Sequence, residues 1–392
     1  GAEIDATGSG SFSSSSSLIF ESEGIINGIV NIPNVAINGG VDFGSDSTID
    51  GNLTIESDGF VNTNPPTYGG SSTLIYSDDG NTYGRGLEWS STSVAGYPNN
   101  VIIQDNTTLN LGANGGIGTA RQIAGNLTVK NGSTLSLDIE SMSEALTVLG
   151  NFTNEGTTVL SSLSGGDLVL QGNLDDNGTF TANGRAVFFT GSGLQKIDAA
   201  NPVTIDFIII DTSSGAKVQM NQNLILPNTL ELTTGKLDLN GNVLTISGDI
   251  RPNNGAGTII GSTSGSTIVF DDQSTSRTLE NADLQNNEIA NLTINESAGV
   301  TINTDLKVME NLDINAGDNF IEGGFVLDID GATVDVASVA DFTFGSNLDT
   351  STTPAKASSA QLAQITTPAG TTINGDVTVE RFIPVQTNDT RA

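Results

Sequence analysis

The sequence predicts an all-β protein built as a parallel β-helix (β-solenoid) of short stacked coils, right-handed in sense. Three observations predict it. Apolar residues alternate with Thr, Ser, Asn and Asp in short runs closed by Gly or Asn, as in Leu53-Thr54-Ile55, Leu127-Thr128-Val129, Leu168-Val169-Leu170 and Leu244-Thr245-Ile246; this is strand and turn patterning. Asn followed by an apolar residue, often preceded by Gly, recurs at 52, 126, 151, 173, 223, 242, 291 and 311. From Asn126 onward the steps are one or two multiples of about 20–25 residues, the period of a solenoid coil. Glycine supplies 47 of the 392 residues, which suits corners where φ is positive and accounts for the glycine without disorder.

Along the chain, residues 1–20, which include the serine run Ser13 to Ser17, are expected to form an N-terminal cap or a frayed first coil, because an open solenoid end exposes strand edges. Residues 21–350 are expected to be the solenoid itself, with an aromatic-rich insertion near 68–100. A longer repeat lies within it: Phe207 to Ile246 aligns with Asn291 to Leu327, so that Gly215 meets Gly299, Leu224 meets Leu306, Leu230 meets Leu312 and Gly235 meets Gly317. Thr352-Thr353-Pro354-Ala355-Lys356 reads as a break in the coil. Residues 351–392 then hold a final strand segment, Val377 to Ile383, and a polar tail leading to a C-terminal region beyond Ala392. No stretch shows helical spacing over twelve residues, and Ser358 to Ile365 comes nearest.

Composition narrows function further. Acids outnumber bases 45 to 13, a net charge of −32, so neither nucleic acid nor an anionic membrane surface is an expected partner. With no Cys and no His, the chain cannot build a Cys/His zinc site, a Ser-His-Asp or Cys-His pairing, or a histidine base. The longest aliphatic stretch, Phe207 to Ile210, is far short of the 18 or more residues of a membrane helix, so no membrane insertion is expected. The chain opens at Gly1, which reads as a processed form or a fragment.

Several segments carry a family resemblance: Thr82-Tyr83-Gly84-Arg85-Gly86-Leu87-Glu88-Trp89, Gly96-Tyr97-Pro98-Asn99-Asn100-Val101, Leu146 to Asn154, and Gly375-Asp376-Val377-Thr378-Val379-Glu380-Arg381-Phe382-Ile383-Pro384. Together they resemble the repeat regions of large secreted surface proteins of Bacteroidetes, adhesin-like proteins exported by the type IX secretion system. The resemblance implies a secreted, cell-surface location and, during export, the outer-membrane translocon as partner. It implies a C-terminal β-sandwich sorting domain after Ala392. In that family such repeats serve as stalks or adhesive surfaces, with no defined catalytic residues.

Candidate sites are few. All four tyrosines (68, 76, 83 and 97) and the only tryptophan fall within 30 residues. Tyr83, Arg85, Glu88, Trp89 and Tyr97 would, if exposed, make a sugar-stacking platform for an extracellular glycan or surface ligand; otherwise they pack against the coil and cover it. The adjacent pairs Asp78-Asp79, Asp175-Asp176 and Asp271-Asp272 raise a polysaccharide-degrading enzyme, but strand neighbours point to opposite faces. Asn303-Thr304-Asp305 matches a polygalacturonase motif whose companion histidine this chain cannot supply. No cofactor is expected beyond a structural calcium, with Asp42, Asp46 and Asp50 or the loop Asp313 to Asp318 as ligands. Ice or crystal binding would need Thr-x-Thr on successive coils, and only Thr179-Phe180-Thr181 has that form. Asn-x-Thr triplets look like glycosylation sequons, and Asp46-Ser47-Thr48 like a short O-glycosylation signal. The expected function is a non-catalytic stalk or adhesive segment, with a glycan-binding module and a β-helix enzyme as alternatives.

Overall fold

The computed structural model describes residues 2–11, 17–252, 257–271, 276–281, 283–296, 298–315, 319–321, 325–329, 333–336, 341–344, 348–349, 356–357, 364–366, 372–374 and 378–379. They form an all-β solenoid of parallel strands. Among them the only helical element is one 3-10 turn, Leu87–Trp89. The chain divides into two compact units, Gly1–Ile209 and Ile210–Ala392.

A coil of the first unit has three faces. Leu127–Val129, Thr134–Ser136 and Leu146–Val148 make one coil. Phe152–Asn154, Thr157–Val159 and Leu168–Leu170 make the next, each strand in parallel register on its predecessor. Alternation decides which side chains go in. On the first face Leu53, Leu74, Val101, Leu127, Phe152, Leu174 and Ile197 stack in one column, and all are fully buried. The second face stacks Tyr83, Leu109, Leu135, Thr158 and Phe180. The third stacks Ile123, Val148, Leu170 and Phe189.

The recurrent asparagines are the register device. Oδ1 of Asn100 accepts the backbone N–H of Asn126, Asn126 that of Asn151, Asn151 that of Asn173, and Asn173 that of Lys196, all at 2.8–2.9 Å. Each asparagine thus binds the coil above it. The glycine before the asparagine makes room for this. A Cβ on Gly150 would lie 2.5 Å from Asn126 Oδ1 and 2.6 Å from the Gly125 backbone. Positive φ falls at other corners of the coil, on Gly and Asn residues such as Asn106, Gly132, Asn240 and Gly241. The ladder residues are selected by close approach and hydrogen bonding.

The first 20 residues belong to the stack. Strand Ala2–Ser11 pairs in parallel with Gly24 to Asn31, and Ser17–Phe20 with Asn34 to Ile37. Of the serine run, residues 13–16 lie outside the described residues.

In the second unit one column runs Leu224, Leu244, Ile268, Leu292, Leu312, Val334 and Ile373. Leu224 therefore shares its column with Leu312, whereas the sequence repeat matched it to Leu306. That repeat is displaced by one face. Similar Leu-x-Leu strands occupy every side of the coil, so self-alignment of the sequence does not distinguish them. The parallel pairing also continues past residue 350. Gln364–Thr366, Thr372–Asn374 and Thr378–Val379 stack on Val326–Ile329, Thr333–Val336 and Asp341–Phe344, after an antiparallel pair of Leu348–Asp349 with Lys356–Ala357. The expected break at 352–356 is described only at Lys356, and the polar tail from Gln386 lies outside the described residues, as does Ser358 to Ile365 except for residues 364 and 365 in the strand Gln364–Thr366.

Candidate functional site

The aromatic segment of the first unit turns inward. Tyr83 sits in strand Thr82–Gly84 in the column of Leu109 and Leu135, so alternation buries it to 8% exposure. Its ring lies 5.2 Å from that of Tyr76, tilted at 46°. Trp89, in the 3-10 turn, is fully buried, and its indole Nε1 donates to Gln122 O at 3.0 Å. Tyr97 is half-buried and its hydroxyl accepts from Gln122 Nε2 at 2.8 Å. The structure thus brings Tyr83, Arg85, Glu88, Trp89 and Tyr97 together, but as a packed cover on the coil. Trp89 offers no open ring face for a sugar.

Charge is buried with them. The Arg85 guanidinium donates to four backbone carbonyls, those of Leu111, Gly86, Trp89 and Ala113, at 2.6–3.2 Å. Glu88 is fully buried; Oε1 accepts from Gly86 N at 2.6 Å and Tyr76 Oη at 3.1 Å, while Oε2 has no hydrogen-bond partner. Burial pushes the Glu88 carboxyl up from the usual range. The Tyr83 hydroxyl is also raised, by burial first and the neighbouring Glu88 second. Arg121, which sequence reasoning did not single out, points inward from the third face at 3% exposure. Burial and then the like charge of Arg85 push it down to about 10. A Cβ on Gly116 would be 2.8 Å from Nη2 of both arginines, so this glycine is what lets the two guanidinium groups fit.

Beside this cluster lies a surface cleft of about 520 Å³ between the turn at residues 57–61 and the segment 82–87, with Asn114 at its rim. Phe60 lines it and is 46% exposed. Its ring rests over Gly40, where a Cβ would be 2.6 Å from Phe60 Cζ. Asp58 and Asp78 line the same cleft. Asp78 is 4% exposed, and its carboxyl is raised by burial first, opposed by a hydrogen bond from Asn81 and reinforced by Asp58 and Asp79. Asn114 is exposed, and its Nδ2 is fixed on Arg85 O at 2.8 Å. Of the cleft residues, Asp78, Tyr83 and Arg85 are among the candidates that the sequence offers. Phe60, Asp58 and Asn114 carry no local motif, and coil stacking alone brings them together.

Asp176 turns inward and accepts from Asn154 Nδ2 at 2.7 Å, whereas Asp175 turns out. Asp79 is an exposed turn residue with φ of 40°, and Asp272 lies outside the described residues. Asn303 Nδ2 donates to Glu280 Oε2 at 2.8 Å in an exposed turn. Asp42 Oδ1 accepts from Gly44 N and Asn64 Nδ2 at 2.8–2.9 Å, while Asp46 and Asp50 are exposed. Residues 316–318 of the other calcium candidate lie outside the described residues, and no group of three or more acidic residues among those described could hold a metal ion. A single threonine column does run up the second face, Thr82, Thr108, Thr134, Thr157 and Thr179. The column two residues further along the strands changes from Gly84 to Asn110, Ser136, Val159 and Thr181, so the paired threonine array is not built.

No helix among the described residues is long and apolar enough to cross a membrane. No protein-family model, curated protein or solved structure matches the chain.

Proposed function

We propose that this chain is a non-catalytic stalk or adhesive segment of a secreted bacterial cell-surface protein. The observation that carries the reading is the coil-on-coil ladder: parallel strands in register, a buried apolar column, and an asparagine bond from each coil to the next. Such stacking resists extension along the chain because every coil is held by its neighbours. The net charge of −32 keeps copies soluble and apart. Export through the type IX translocon rests on the resemblance of Thr82 to Trp89 and Gly375 to Pro384 to secreted Bacteroidetes repeats.

Pulling single molecules from both ends tests the mechanical reading. Stepwise rupture is expected, each step releasing one coil of roughly 65–90 Å of chain, since a coil has about 20–25 residues and each spans at most about 3.3–3.6 Å. Featureless extension at low force would count against a load-bearing role. Antibody labelling of intact source cells, with and without a working translocon, tests location and export.

A further inference from the structure

We propose that the cleft lined by Phe60, Asp58, Asp78 and Asn114 binds a short uncharged glycan, one sugar ring stacked on Phe60 and its hydroxyls bonded to the three polar side chains. The inference gives the adhesive half of the proposed function a ligand and rests on that half.

The cleft's volume of about 520 Å³ falls inside the range of about 300–1,000 Å³ typical of small-molecule sites. Phe60 is a large aromatic left 46% exposed at a cleft wall, with one side of its ring supported by the bare backbone of Gly40. A supported ring with an open side suits the apolar face of a pyranose. Sugar hydroxyls need directional polar partners, and carboxylate oxygens and an amide oxygen accept from them. Asp58 and Asp78 supply the carboxylates. Asn114 is held through its Nδ2 by the Arg85 carbonyl, which leaves Oδ1 as the acceptor.

Charge selects the class. A uronate or sulfated sugar would meet two carboxyl groups, and like-charge contact rejects partners. Arg85 also lines the cleft, but it is 3% exposed and four of its five N–H groups are donated to backbone carbonyls, so its side chain is committed to the wall. Tyr83 lines the cleft beside Arg85 and Gly86, and the Trp89 carbonyl holds this wall by accepting from Arg85 Nη1 at 3.0 Å.

The test is calorimetric titration of the full chain with a panel of oligosaccharides: neutral gluco-, manno-, galacto- and xylo-oligomers, cationic glucosamine oligomers and anionic galacturonate oligomers. Expected is binding of a neutral member with Kd below about 1 mM, weakened at least tenfold in Phe60→Ala and severalfold in Asp58→Asn, with Thr134→Ala unchanged. Phe60 and Asp58 are both exposed, so circular dichroism and the urea midpoint should match the parent; should Phe60→Ala misfold, Asp58→Asn and Asn114→Ala carry the comparison. No binding by any neutral member, binding of charged members only, or full binding by the cleft variants would overturn the proposal. The pulling experiment does not read the cleft, so failure here is distinguishable from failure of the stalk.

Discussion

Replacing Asn151 by Ala removes one rung of the asparagine ladder and leaves its neighbours intact. The rung is the 2.9 Å bond from Asn173 N–H to Asn151 Oδ1. The bond below it, from Asn151 N–H to Asn126 Oδ1 at 2.8 Å, uses only the backbone of residue 151 and survives the change. A net hydrogen bond contributes about 0.5–1.5 kcal/mol, equivalent to a factor of about 2–13 in a local opening equilibrium. Hydrogen exchange resolved to single amides reads this directly. The Asn173 amide should exchange about 2–13 times faster in Asn151→Ala, while the Asn151 amide keeps its protection. Asn151→Asp retains the acceptor and should stay close to the parent at neutral pH. Unchanged exchange at Asn173, or an equal loss at residues 151 and 173, would refute a rung-by-rung ladder and point to cooperation of the whole stack.

Gly150→Ala should cost more than loss of the rung, because its Cβ would meet Asn126 Oδ1 at 2.5 Å and the Gly125 backbone at 2.6 Å; exchange should rise at the Asn126 and Asn151 amides together. In the second unit Arg277 pairs with Glu296 at 2.9 Å, both buried, with the guanidinium 4.5 Å over the Phe270 ring. Arg277→Met takes the guanidinium away from a buried carboxylate and should destabilise that unit by about 3–5 kcal/mol, read from its urea midpoint. Asp283 is fully buried, and burial raises its carboxyl to about 7. Its folded pKa lies above the unfolded value of about 3.9, so its contribution is full below pH 4 and is lost as pH rises towards 7. Asp283→Asn should therefore leave stability at pH 3.5 unchanged and raise it at pH 8, by up to about 4 kcal/mol. Equal effects at both pH values would contradict that assignment.

The sequence by itself determined the fold class and most of the core, because inside and outside alternate with period two and Leu53, Leu127 and Leu168 announce their burial locally. It also announced the ladder positions, since a Gly-Asn pair repeated at coil spacing marks where one coil touches the next. Only the tertiary structure decided which face stacks on which. Leu224 and Leu306 look equivalent in sequence, yet the column joins Leu224 to Leu312. The solenoid also continued beyond residue 350, because a coil can admit an inserted strand pair and then resume its register. The aromatic cluster shows the same division. Composition revealed that Tyr83, Arg85, Glu88, Trp89 and Tyr97 gather near one place, but whether a Trp faces water depends on what packs over it, and here the Gln122 carbonyl and the coil enclose it. The open ring of the cleft is instead Phe60, brought beside Asp78 and Asn114 by coils about 20 and 50 residues away in sequence. Long-range stacking places such residues, and no local pattern of residues records it.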